Sequence, residues 1–85
     1  MITVEQLQSR LQNALNAQVK VTDDSHRHVG HAGAKSGGKH FSVTVISAKF
    51  EGLPTLAQHR LVYDALSDWM NKEIHALAIT TKTSK

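Results

Sequence analysis

His40-Phe41-Ser42-Val43-Thr44-Val45-Ile46-Ser47 is the stretch that decides the fold. Phe41, Val43 and Val45 alternate with Ser42 and Thr44, and the run is rich in β-branched residues, so it reads as a half-buried strand over roughly residues 40–47. Upstream, Val19 and Val21 alternate with Gln18, Lys20 and Thr22, a second short strand ended by Asp23, Asp24 and Ser25. His26 to Lys39 has no periodicity and four glycines, which predicts a surface loop joining the two strands as an antiparallel hairpin. Loops of this length in small domains are more often functional than merely connecting.

Further out, Thr3 and Gln6 form a capping-box pattern, and Val4, Leu7, Leu11, Ala14 and Leu15 follow at helical spacing. They predict an amphipathic helix over residues 3–16. On the other side, Phe50-Glu51-Gly52-Leu53-Pro54 breaks the chain before a second helix, capped by Thr55 or opened at Pro54. Leu56, His59, Val62, Tyr63, Leu66, Trp69 and Met70 fall close to one face, carrying that helix to about Asn71. Ile74, Ala76, Ala78 and Thr80 then alternate with His75, Leu77, Ile79 and Thr81. Both sets hold apolar groups, so the expectation is a central strand buried on two sides. Lys82 to Lys85 reads as a frayed tail. The order is helix, strand, strand, helix, strand: an α+β domain with helices on one face of a three-stranded sheet, occupying residues 1–85 as one unit.

The composition narrows the chemistry. There is no cysteine among the 85 residues, which removes disulfides, thiolate nucleophiles and all-cysteine metal sites. Any metal must be held by His, Asp or Glu, or by thiolates borrowed from a partner. The net charge of +3, with six histidines counted neutral, favours acidic partners but is far from the dense Lys/Arg stripe of a dedicated nucleic-acid binder. No long apolar run predicts a signal peptide or membrane span, and a cytoplasmic location is expected. No serine stands with a base and an acid, no carboxylates pair around a histidine, and no phosphate-binding glycine loop appears; the expectation is a protein that is not an enzyme.

The histidines carry what chemistry remains. His26, His28 and His31 crowd the glycine-rich loop, where the plain reading is solvated polar residues and the sharper one is imidazole ligands for iron, zinc or copper. His75 opens the last strand and by spacing alone reads as a core-edge residue bonded to a carbonyl. His59 falls on the helical stripe and reads as packed, His40 begins a strand and reads as structural, and Tyr63 and Trp69 read as core. Gly30-His31-Ala32-Gly33 spells a GxxG, but it joins two strands rather than two helices, so it is discounted as a nucleic-acid clamp.

Four segments in register resemble the BolA family: His40 to Ser47, Phe50-Glu51-Gly52, His59-Arg60-Leu61-Val62-Tyr63, and Ile74-His75-Ala76-Leu77, with Asp24-Ser25-His26-Arg27-His28 and the glycine-rich loop upstream. The resemblance covers about Leu7 to Thr83. It implies a fold like the type II KH domain. It also implies a partner, a monothiol glutaredoxin carrying a [2Fe–2S] cluster, whose cysteine and glutathione bring sulfur while the BolA-like chain brings nitrogen. Carried onto this sequence, the implied ligands are His75 and the loop residue His28, placed by its distance from Ser25, with His31 as the fallback. No cofactor is expected on the isolated chain, nor any membrane partner. Two departures stand out. Gln58 occupies a position where the family often has arginine, and the chain ends soon after the last strand, where many members add a helix. The competing reading is a KH-like regulator of transcription that contacts DNA through Lys49, Arg60 and Lys72. A monomer, or a weak homodimer through an exposed sheet edge, is expected.

Overall fold

Thr3 and Gln6 start the first helix as their spacing predicts. The Thr3 hydroxyl accepts from the Gln6 amide at 3.1 Å, and the Gln6 side-chain oxygen accepts from the Thr3 amide at 2.8 Å. Two otherwise orphaned donors are satisfied reciprocally. In the computed structural model, which describes residues 2–24, 39–70 and 72–83, helix α1 spans Val4–Leu15. It buries Leu7, Leu11 and Leu15 but leaves Ala14, expected on the same stripe, exposed. Asn16 ends it in the left-handed region at φ 48°, with its amide donating to the Gln12 carbonyl. Asparagine is among the few residues that visit this region at low cost.

Strand β1 (Gln18–Asp23) runs antiparallel to β2 (Lys39–Ile46), and β3 (Ile74–Lys82) runs parallel to β2. The hairpin is therefore as expected. The sheet order β1-β2-β3 places β2 at the centre and corrects the reading of the last strand, which lies at an edge. Phe41, Val43 and Val45 face the helices and are buried; they pack in one core with Leu7, Leu11 and Leu15 of α1 and with Val62 and Leu66. The opposite face carries Ser42, Thr44, Lys20, Ala78 and Thr80, half-buried or exposed. The apolar residues on both sides of β3 reflect a register slip rather than two-sided burial. Lys39 pairs with Ile74 but His40 pairs with Ala76, so His75 has no residue opposite it. Strict alternation would send His75 to the core with Leu77 and Ile79. The bulge exchanges it with its neighbour: Ile74 is fully buried and His75 is exposed.

A 3-10 turn, Ala48–Phe50, follows β2, and its capping residue Ser47 is the one buried polar side chain among the described residues. Ser47 Oγ donates to the Leu15 carbonyl at 2.7 Å and accepts from the Lys49 amide at 3.1 Å, tying the end of α1 to this turn. Ser47→Ala orphans both groups, so the expected loss of stability is about 1–3 kcal/mol, read from the midpoint of urea unfolding. Gly52, at φ 78°, turns the chain toward α2.

Helix α2 spans Thr55–Ala65, with Pro54 as its N-cap and no side-chain cap. It stops well short of Asn71. The Leu66 amide bonds to Tyr63 O and the Trp69 amide to Leu66 O, tightening the chain into successive turns. A long-range contact holds the chain at this end. Arg10 of α1 donates from Nη1 to the Ala65 carbonyl at 3.1 Å, holds Asp68 through two contacts of 2.7 and 3.3 Å, and lies 4.0 Å over the Trp69 ring. One guanidinium thus caps the last helical turn and fixes the segment after it. Its hydrogen bond also holds the Asp68 carboxyl below the ordinary carboxylate range. Leu56 and Tyr63, expected in the core, are 74% and 40% exposed. At about 100° per residue they lie away from the face centred on Leu61, Val62, Ala65 and Leu66, which is the face that packs.

Candidate functional site

Strands β2 and β3 are parallel and joined through α2, so both begin at one end of the sheet, and β1, antiparallel to β2, finishes there. That end gathers Asp24, His40 and His75. The Asp24 amide donates to the His40 carbonyl at 2.8 Å, continuing the β1–β2 ladder, and Ser42 Oγ donates to the Asp24 carboxylate. His40 is half-buried and His75 exposed, with ring centroids 5.1 Å apart and planes tilted by 45°. Beside them lies a shallow depression of about 280 Å³ bounded by Asp24, His40, Phe41 and Ala76 to Ala78.

The predicted ligand His75 is therefore accessible, and the reading of it as a core-edge histidine does not hold, because the bulge turns it outward. His28 and the fallback His31 lie outside the described residues, as do His26 and the GxxG segment. The described residues on either side of them, Asp24 and Lys39, stand at the same end of the sheet as His75. His40, read as structural, is the histidine brought against His75. Part of the signal lies in the sequence: two strands linked by a helical crossover run parallel and start together, which brings a histidine opening each of them to one end of the sheet. The bulge then puts the two on one face.

The three cations of the alternative reading do not meet. Lys49 follows the C-terminal end of β2, Lys72 precedes the N-terminal end of β3, and the parallel pairing puts those ends a strand length apart, roughly 25 Å. Arg60 is exposed on α2 between them. Gln58, where the family often has arginine, faces inward: its Nε2 donates to Leu53 O at 2.8 Å and Phe50 O at 3.3 Å, and its Oε1 accepts from Thr81 Oγ1. It braces the turn before α2 and offers nothing to a phosphate. Two residues expected to be packed are so in part: His59 is half-buried on α2, and Trp69 packs against the core beneath Arg10.

Among the described residues no three His, Asp or Glu side chains converge as a metal cage. With no cysteine in the sequence, the edge offers nitrogen and no sulfur. Among the described residues, no helix is long and apolar enough to cross a membrane.

These features define a small α+β binding domain whose accessible edge chemistry is imidazole. The chain belongs to the BolA family: the family model described as BolA-like protein matches residues 11–85. BolA-like protein 1 of Mus musculus is 40% identical over 78 residues, which cover 91% of this chain and 55% of that protein. The DNA-binding transcriptional regulator BolA of Escherichia coli is 35% identical over 86 residues, covering all of this chain and 79% of that one. The structure of BolA1 from Arabidopsis thaliana superposes with a TM-score of 0.80 at 34% identity, covering 98% of this chain and 93% of that one. The chain thus spans about half the length of the mouse relative and nearly all of the solved plant domain.

Proposed function

We propose that this chain is a cytoplasmic binding partner of a monothiol glutaredoxin and supplies the nitrogen side of a shared [2Fe–2S] cluster, in cluster assembly, trafficking or iron sensing. The observation that carries this reading is the exposed imidazole of His75, held at the bulged start of β3 on a chain that has no thiolate of its own. Family membership supports it. The donor set fits half of such a site: imidazole is a suitable iron ligand, and two histidines replace two cysteines on one iron of Rieske-type clusters. His75 would hold one position and a loop histidine, His28 or in its place His31, another; the glutaredoxin cysteine and glutathione would bring the sulfur. The cluster, when bound, supplies electron-transfer and iron-donor chemistry. The chain's own part is to position nitrogen and to present the edge to its partner.

Two measurements test this. Anaerobic reconstitution of the chain alone is expected to yield no stoichiometric sulfide, since nitrogen and oxygen donors do not retain a cluster without thiolates. Mixing it with cluster-loaded glutaredoxin is expected to change the visible absorption and circular dichroism. An unchanged spectrum at excess chain would overturn the reading.

A second reading is favoured by one observation: the relatives from Escherichia coli and Vibrio cholerae are named as DNA-binding transcriptional regulators. On this reading Lys49, Arg60 and Lys72 contact phosphates. The separation of Lys49 from Lys72 weighs against a compact basic patch, and a mobility shift with DNA that weakens steeply with salt would favour it.

A further inference from the structure

His40 and His75 are the two described histidines whose rings meet, and the backbone goes out of its way to bring them together. In a regular parallel ladder His75 would point to the helix-packed face and His40 to the other. The single-residue slip between Lys39 and His40 removes that mismatch, burying Ile74 and leaving His75 beside His40. Bulges of this kind re-aim side chains at functional edges. The ring separation is informative as well. Two imidazoles bound to one tetrahedral ion, each with a metal–nitrogen bond of about 2.0–2.1 Å, have centroids roughly 5 Å apart. The observed separation is 5.1 Å. Both rings sit on paired strands, so little side-chain and no backbone freedom is lost on closing a chelate. The exposure of His75 leaves the remaining coordination positions open to water.

We propose that His40 and His75 form a two-imidazole chelate that takes a divalent cation of the zinc and copper class on the isolated chain. Imidazole nitrogen suits these ions, and the site needs no partner thiolate and no loop histidine. The site shares His75 with the cluster-sharing reading but not its partner. His40 is thereby a ligand in its own right rather than a strand-opening structural residue.

The test is a titration of the isolated chain with zinc chloride, followed through the ring resonances of all its histidines. The His40 and His75 rings are expected to shift together and saturate near one zinc per chain. A variant with His26, His28 and His31 all changed to alanine is expected to retain the coupled shift. His40→Ala is expected to abolish the response at His75, and His75→Ala the response at His40. Shifts confined to the loop histidines, or a His75 response unchanged by His40→Ala, would overturn the chelate. The wild-type titration decides the matter even where a variant fails to fold. A zinc response at the pair, together with an unchanged glutaredoxin spectrum, would remove the cluster-sharing reading alone. The converse result would remove the chelate alone.

Discussion

His75→Ala is expected to eliminate the visible spectrum of the mixed complex with cluster-loaded glutaredoxin, whereas His28→Ala should shift or weaken it. The difference is mechanical. The backbone at His75 is fixed on both sides: the Ile74 amide donates to Trp69 O at 3.0 Å, the Ile74 side chain is fully buried, and Ala76 is paired with His40. An imidazole on such a base is oriented before the partner arrives, so little entropy is lost in engaging a metal. The loop sequence around His28 has His26 and His31 close by, so a loss at His28 is expected to be made good in part. Ordering a loop also costs about 1–2 kcal/mol for each residue fixed, which weakens the contribution of any ligand it carries. Because His75 is exposed, its removal leaves no cavity, and amide chemical shifts away from the sheet end should stay in place. An intact spectrum with His75→Ala would refute the assignment and leave the loop histidines to hold the site by themselves.

Local signals located the elements well. The Thr3–Gln6 capping box and the alternation through Phe41, Val43 and Val45 follow from neighbours within a few residues, the hairpin follows from the two strands being consecutive, and the structure has them where the sequence places them. What failed depended on contacts distant in sequence. No Gly or Pro follows Ala65 to mark the end of α2, and the side chain that bonds the Ala65 carbonyl is Arg10, more than fifty residues upstream. Leu56 and Tyr63 read as core because the full apolar set was assigned to one stripe, while packing against α1 and the sheet selects the face of Val62 and Leu66.

The site was legible to a lesser degree. His75 is accessible, consistent with a ligand or contact role, though a period of two would have buried it. A bulge is a property of pairing between two strands and leaves no mark in either one alone, so its exchange of Ile74 with His75 was out of reach. Topology starts β2 and β3 at one end and so places His40 near His75, but their meeting on one face rests on that same bulge. The three cations show the opposite case: Lys49 and Lys72 lie before and after α2 and Arg60 lies on it, and the strand-length offset between the first and last appears only once β3 is paired.

Phe41→Ala is expected to destabilise the domain by about 3–5 kcal/mol, against a total stability of roughly 4–13 kcal/mol for a chain of this length. Phe41 is 2% exposed on the central strand, between Asp23 of β1 and Leu77 of β3, and faces the leucines of α1. Truncation there opens a cavity where all three strands and the helix layer meet, and neither flanking strand can close over it without giving up its own pairing. The midpoint of thermal unfolding should fall by tens of degrees, roughly. Because His40 precedes Phe41 and His75 stands beside it, loosening at this position should broaden both ring resonances before the chain unfolds. Leu56→Ala is the matched control: at 74% exposure it should change stability by no more than about 0.5 kcal/mol, although the two residues look alike in hydropathy. Equal losses in the two variants would mean that α2 packs through Leu56 and that the helix is rotated from the orientation described above, which would also move Arg60 and Gln58.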